Sequence, residues 1–159
     1  MPSPLLLLKL YRCYIIPNIE YCNVCIIPNI TQNEKIESIQ HKVTKYICYK
    51  MNKSNLDYKQ RLSVLNLKTL ECRRQLAVLK IVFKCIHNFN SVPENWKKMF
   101  IISENTRNGR VLLKPRNRIN ICDKNFFYYS INLFNSLSLD IRNETVFSKF
   151  IAKCEEFLL

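Results

Sequence analysis

Only one glycine, Gly109, occurs among the 159 residues, and this scarcity constrains the fold more than any other feature. Phosphate-binding loops of the dinucleotide and P-loop types need several glycines, so sites of these types are excluded. A hairpin-rich β fold also needs glycine in its tight turns. The sequence therefore favours a mostly α fold, and its length favours one domain.

Helical periodicity organises the first half of the chain. An apolar stretch over residues 5–27 is interrupted by Pro17, which we expect to kink or split a helix. A second helix is predicted over residues 32–50, with Thr31 as its cap and Glu34 reaching back to it. Its apolar stripe has four members, Ile36, Ile39, Val43 and Ile47, and Lys35, Lys42 and Lys45 lie off that stripe.

Two further helices are predicted before residue 90. A short helix ends at Leu65, with Ser54 or Asn55 as its cap and Asn66 in the left-handed exit position. Thr69 then caps a long helix over residues 70–89.

The second half of the chain is less regular. Residues 90–122 contain short β-like pieces at 111–113 and 119–121. Asp123 is the predicted cap of a helix over residues 124–137, and a last helix is predicted over residues 145–158. We divide the chain into residues 1–90 and 91–159 and expect the two parts to form one structural unit.

Basic residues are the strongest functional signal. Lys and Arg number 25 against 12 Asp and Glu, which gives a net charge of +13 and an attraction for polyanions. Candidate nucleic-acid contacts lie on the long helix, where Arg73, Lys80 and Lys84 share one face, and in the irregular segment. The full predicted set is Arg73, Arg74, Lys80, Lys84, Arg107, Arg110, Arg116, Arg118 and Lys124.

Aromatic residues from Phe126 to Tyr129 follow the basic segment. Such rings can stack on unpaired bases, but phenylalanines in an apolar helix more often belong to the core. We therefore favour a core role for Phe126 and Phe127.

Catalytic and metal-binding patterns are weak. Cys22-x-x-Cys25 lacks a second ligand pair at zinc-finger spacing, and His41 and Cys48 fit poorly as further ligands. We interpret the two cysteines as part of one helical turn facing a core. The two histidines, His41 and His87, are expected on helix surfaces. No Asp-Asp pair is present to hold two metal ions, so we expect no metal, no cofactor and no catalytic residues.

Eight cysteines could suggest a secreted disulfide scaffold, but the N-terminal features argue otherwise. Only four leucines precede Lys9, which is too short for a signal peptide or a membrane span. We expect an intracellular protein, nuclear or cytoplasmic, that does not bind membranes. Its thiols should be reduced and mostly in the core.

Five stretches follow one another along the chain and carry a family resemblance. They are Leu10-Tyr11 with Pro17-x-x-Glu20-Tyr21-Cys22; Ile36-Glu37-x-x-Gln40-His41-Lys42-x-Thr44-Lys45-x-Ile47; Tyr58-x-x-Arg61-Leu62-x-x-Leu65-x-Leu67-x-Thr69-Leu70-Glu71-x-Arg73-Arg74; Thr106-Arg107 with Pro115-Arg116-x-Arg118 and Lys124-Asn125-Phe126-Phe127; and Ile131-Asn132-Leu133-Phe134-Asn135-Ser136-Leu137. Together they resemble the region after the catalytic core in reverse transcriptases of LINE-type, non-LTR retrotransposons of the jockey-like group. Asn66 stands where that family usually has glycine.

The resemblance implies a helical thumb-like bundle, an irregular basic segment and two further helices. In such a polymerase this region grips the template–primer duplex, while a metal centre in the palm performs phosphoryl transfer. The palm motif should lie upstream of residue 1, so the chain is expected to be a C-terminal fragment without its own activity. Its expected partners are RNA, DNA or their hybrid, and the polymerase core. The alternatives are a small basic helical interaction module without nucleic-acid function, and a decayed, non-functional element.

We therefore predict no primer extension by this chain alone, because no carboxylate pair is present to place two metal ions about 4 Å apart. The purified chain would be incubated with primed template, nucleotides and magnesium. Extension that persists after every Asp is substituted would contradict the prediction.

Overall fold

The computed structural model describes residues 2–22, 24, 27–103, 109–114 and 125–158, and these are mostly helical, as the sequence predicts. The first elements are α1 (Pro4–Leu10), a π-helical turn (Tyr11–Ile15), α2 (Ile16–Glu20), α3 (Ile30–Lys50), α4 (Tyr58–Leu65) and α5 (Leu70–Ile86). They are followed by α6 (Glu94–Lys97), β1 (Ile102–Ser103), β2 (Val111–Leu112), α7 (Phe126–Asn135), α8 (Leu139–Arg142) and α9 (Phe147–Phe157).

The chain divides into two compact units, Met1–Arg74 and Gln75–Leu159. This boundary lies within α5, whereas the predicted division falls after residue 90. As a statement about domains, the division into residues 1–90 and 91–159 stays a prediction.

Pro17 does not end the first helical segment. It occupies the first turn of α2, directly after a π-helical turn. The α-helix is thus interrupted, as predicted, but the chain remains helical from Pro4 to Glu20.

In two helices the capping residue is a near neighbour of the predicted one. Asn29, not Thr31, caps α3 and forms a capping box with Gln32. Asp57, not Ser54 or Asn55, caps α4 together with Gln60. The hydroxyl of Thr69 accepts from Cys72 N–H at 3.1 Å, so this predicted cap is confirmed.

Asn125 caps α7, and its side chain accepts from the N–H of Phe127. Asp123, the predicted cap, lies outside the described residues.

Three helices end with asparagine in the left-handed conformation. Asn52, Asn66 and Asn88 follow α3, α4 and α5 with φ of 58°, 48° and 56°. In each case the next N–H reaches back five residues, as from Leu67 to the Leu62 carbonyl at 2.9 Å. These are Schellman ends, in which asparagine takes the position usual for glycine. The predicted role of Asn66 is confirmed.

The core of the first unit includes Ile47, Cys48 and Leu65, against which Leu7 and Leu8 pack. The stripe predicted on α3 is only partly correct. Ile47 is buried, but Ile39 is 42% exposed. The centre of the buried face is instead polar, at Gln40 and Thr44.

In the second unit, aromatic side chains fill the core. Phe83 contacts Phe147 and Phe150, with ring centroids 5.5 and 4.7 Å apart. Phe126 and Phe127 both pack against Trp96. Phe126 is buried, so its core role is confirmed, whereas Phe127 is half-buried.

A short antiparallel ladder, β1–β2, pairs Ile102 with Leu112. The Asn135 amide continues this ladder, because it accepts from Leu112 N–H and donates to the Leu112 carbonyl, each at 2.9 Å. The predicted β-like piece at 111–113 is therefore confirmed over Val111–Leu112, while the piece at 119–121 lies outside the described residues.

Gly109 has a backbone conformation that favours glycine. Its φ is 67°, and a β-carbon there would lie 2.6 Å from Cδ2 of the exposed Leu139 side chain, which would have to move. The left-handed backbone is thus the main reason for glycine at this position.

Cysteines divide into two classes. Cys48, Cys72, Cys85 and Cys154 are buried, as expected for core thiols, whereas Cys13 and Cys22 are exposed. Because α2 ends at Glu20, the prediction that Cys22 lies inside a core-facing helix is wrong. Cys25 and Cys122 lie outside the described residues.

Burial raises the pKa of Cys85 to about 11 and that of Cys154 to about 12. Since the thiolate is the reactive form, we predict that iodoacetamide at about pH 8 alkylates Cys13 and Cys22 much faster than the four buried cysteines. Peptide mass spectrometry with and without urea provides the measurement. Native labelling of Cys154 as fast as that of Cys13 would contradict the packing.

Candidate nucleic-acid interface

Helix α3 is held by a buried polar network centred on Gln40. The hydroxyl of Tyr11 donates to Gln40 Oε1 at 2.7 Å. Gln40 Nε2 donates to the Lys68 carbonyl at 2.9 Å and to the Tyr58 hydroxyl at 3.1 Å. One side chain thereby links the π-helical turn, α3, α4 and the segment before α5.

Glu37, one turn before Gln40, extends this network. Its carboxylate accepts from the Tyr58 hydroxyl and, at 3.0 Å, from the N–H of Leu70. Burial is the main cause that raises the pKa of Tyr58 and of Tyr11, and the pKa of Tyr11 rises to about 12. The negative charge of Glu37 raises the pKa of each tyrosine further. Both phenols are therefore neutral donors at ordinary pH.

Because Gln40, Thr44 and Ile47 face inward, the opposite side of α3 faces solvent. Positions 35, 39, 42, 46 and 49 recur at alternating intervals of four and three residues, which places them on one helical face. This outer face of α3 consists of Lys35, Ile39, Lys42, Lys45, Tyr46 and Tyr49, all of which are exposed.

The outer face is basic and lacks acidic side chains. The acidic residues of α3 are Glu34, in its first turns, and Glu37, which is engaged in the buried network. Among the described residues, the ammonium groups of Lys35, Lys42 and Lys45 have no ion-pair partner. They are consequently available to an external anion.

Arg73 and Arg74, two of the predicted nucleic-acid contacts, have partners inside the protein. The Arg73 guanidinium forms a bidentate ion pair with Glu20, which is the main cause that raises its pKa. Arg74 is 3% exposed and donates to the side chain of Asn33. Both arginines therefore help to hold the start of α5, up to Arg74, in the first unit.

Lys80, Lys84 and Arg110 are half-buried in the second unit. The ammonium group of Lys84 lies 5.8 Å from the ring centroid of Phe147. The backbone carbonyl of Arg110 accepts from Arg142 Nη1 at 3.0 Å. The remaining predicted contacts, Arg107, Arg116, Arg118 and Lys124, lie outside the described residues.

The two histidines lie against aromatic rings. His41 is exposed and stacks on Tyr58, with ring centroids 3.4 Å apart. His87 stacks on Phe83 at 4.1 Å, and burial lowers its pKa. Within the described ranges, no three His, Cys, Asp or Glu side chains come together to hold a metal ion.

Sequence reasoning named none of the residues on the outer face of α3 as candidate contacts, although it placed Lys35, Lys42 and Lys45 off the apolar stripe. Tyr46 and Tyr49 are the two exposed tyrosines of this face. Each follows a lysine by four residues, as Lys42–Tyr46 and Lys45–Tyr49, so each tyrosine neighbours a cation on the helix surface. This repeated spacing is the signal that would have identified them.

No protein-family model matches the sequence, and neither a curated protein nor a solved structure matches it significantly. Among the described helices, none is both long and apolar enough to cross a membrane.

We predict that Gln40→Leu lowers the free energy of unfolding by about 2–5 kcal/mol, because each buried polar group left without a partner costs about 1–3 kcal/mol. Urea unfolding followed by circular dichroism provides the measurement. Lys42→Leu introduces the same side chain on the exposed side of α3 and should change stability by about 0.5 kcal/mol or less. Equal losses in the two variants would contradict the network.

The raised tyrosine pKa values also predict a pH dependence. Folding favours the neutral phenols, so their contribution is complete below the unfolded pKa of about 10 and is lost as pH rises towards their folded pKa values. Urea unfolding between about pH 9 and 11 should therefore show a shallower decline for Tyr11→Phe than for the unsubstituted chain. Parallel declines would indicate that Tyr11 titrates normally.

Proposed function

We propose that this chain binds nucleic acid through phosphate contacts, as the thumb and post-thumb part of a non-LTR retrotransposon reverse transcriptase. In this proposal the chain positions the template–primer, and the catalytic palm belongs to another part of the polymerase. The observation that carries the binding function is the outer face of α3, where three lysines without ion-pair partners among the described residues lie on one exposed surface.

Charge supports this binding function. The first unit, Met1–Arg74, contains 12 Lys and Arg against 5 Asp and Glu. Of those five acids, Glu20 is paired with Arg73, and Glu37 accepts hydrogen bonds in the buried network. A cationic surface of this kind attracts the phosphate backbone without regard to base sequence.

The buried network supports the proposed family. Tyr11, Glu20, Glu37, Gln40, Tyr58 and Arg73 carry the resemblance in the sequence, and the same six side chains make the hydrogen bonds that join the first unit. Four of them belong to the network around Gln40 and Glu37, and the other two form the separate Arg73–Glu20 ion pair, whose members are 53 positions apart.

The proposed phosphate contacts are Lys35, Lys42 and Lys45 on α3, with Lys80 and Lys84 on α5. Arg73 and Arg74 contribute mainly by holding α5, since their guanidinium groups have partners in the first unit. Arg107, Arg110, Arg116, Arg118 and Lys124 stay predicted contacts of the basic segment.

We predict that replacing Lys35, Lys42 and Lys45 with Gln flattens the log–log salt dependence of duplex binding by about 2–3 units, because each lost phosphate contact removes about 0.9. Fluorescence anisotropy with a labelled DNA duplex and an RNA–DNA hybrid, at several salt concentrations, provides the measurement. Lys80→Gln with Lys84→Gln tests α5 separately and leaves the Arg73–Glu20 pair intact.

The matched control replaces Lys59, Lys98 and Lys149, which are also exposed, and therefore removes the same charge elsewhere. This control should change the slope by less than about 1 unit. Equal losses of salt dependence from the two triple variants would contradict a specific binding site on α3. That outcome would favour the alternative, a small basic helical interaction module.

A further inference from the structure

Two exposed tyrosines are placed among the lysines of the outer face of α3. Tyr46 is 51% exposed and Tyr49 is 64% exposed. An isolated exposed tyrosine needs no explanation, but these two are three residues apart and are therefore neighbours on one helical face. Their α-carbons are separated by about 4.5 Å along the helix axis.

A lysine accompanies each of these rings one helical turn earlier, Lys42 before Tyr46 and Lys45 before Tyr49. The ammonium group of Lys50 also lies 5.7 Å from the centroid of the Tyr46 ring. Each aromatic surface is thus paired with a cation that can reach a phosphate while the ring contacts a base.

We propose that the outer face of α3 binds single-stranded nucleic acid, with Tyr46 and Tyr49 stacking on unpaired bases and Lys42 and Lys45 contacting the adjacent phosphates. This inference rests on the proposed nucleic-acid binding and assigns its preferred form of ligand. In a duplex the bases are already stacked on one another, so these rings gain contacts only on a strand whose bases are free.

Charge complementarity selects this ligand over an apolar protein surface. No acidic residue occurs from Lys42 to Lys50, and Lys42 and Lys45 have no ion-pair partner among the described residues. An apolar partner would leave these two ammonium groups without counter-charges, whereas a polynucleotide provides a phosphate beside each base.

The test measures binding of a labelled single-stranded oligothymidylate, its duplex with oligoadenylate, and inorganic polyphosphate, which has charge but no bases. Tyr46→Leu combined with Tyr49→Leu should weaken single-strand binding by about 10- to 100-fold, because stacking on two bases is lost. Binding of the duplex and of polyphosphate should change by less than about 3-fold, and the salt slope should stay the same.

Two further variants make this result specific. Tyr46→Phe with Tyr49→Phe keeps the rings and should retain single-strand affinity. Tyr14→Leu with Tyr21→Leu removes two other exposed tyrosines, which are 67% and 80% exposed, and should have no effect. Circular dichroism of each variant confirms that the fold is intact.

The possible outcomes separate this inference from the proposed function. Equal weakening with all three polyanions, or with the Tyr14 and Tyr21 control, would overturn base stacking and leave phosphate binding in place. An unsubstituted chain that binds none of the three would overturn both proposals. Tyrosine-dependent binding of an acidic protein instead of the single strand would also overturn this inference.

Discussion

The amide of Gln40 has no access to water, and its oxygen and nitrogen are satisfied by groups from three other segments of the chain. A buried amide that fails to find its partners is costly, so this network admits one rotation of α3 about its axis. That rotation determines which residues are exposed. With Gln40 and Thr44 inward, lysine and tyrosine side chains are necessarily directed to solvent. The interface proposed for nucleic acid is therefore a consequence of how the core is hydrogen-bonded.

Local signals in the sequence predict the positions of the longer helices but not the orientation of their faces. The extent of α3 and the left-handed role of Asn66 follow from neighbouring residues, and both were predicted. Gln40 was not recognised as the centre of a buried face, because periodicity assumes that inward positions are apolar. Arg73 is predicted as a nucleic-acid contact from its basic helix face, and its ion pair with Glu20 joins residues 53 positions apart. Short-range sequence patterns cannot predict an ion pair between residues so far apart in the chain.

The basic residues of the chain have different physical roles, which a count of charges does not distinguish. Arg73 and Arg74 bind side chains of the first unit, and Lys84 lies over an aromatic ring. Lys35, Lys42 and Lys45 have no such partner within the described part of the chain. A guanidinium that makes two planar hydrogen bonds suits a fixed internal pair, whereas a flexible ammonium suits a ligand of variable sequence. Arg73, with its bidentate pair, and the three lysines of the outer face of α3, unpaired among the described residues, are consistent with this difference.

Asparagine at the ends of α3, α4 and α5 also affects the chain before it folds. A glycine at each of these left-handed positions would adopt the required φ with less strain, but it would also give the unfolded chain greater backbone freedom. Replacing glycine by a residue with less backbone freedom stabilises the folded state by about 0.4–1 kcal/mol, provided that the new residue can adopt the native φ and ψ without strain. With Asn52, Asn66 and Asn88 in these positions, the disordered ensemble has less entropy to lose. The polypeptide therefore begins folding from a narrower set of conformations than a chain with glycine at its helix ends.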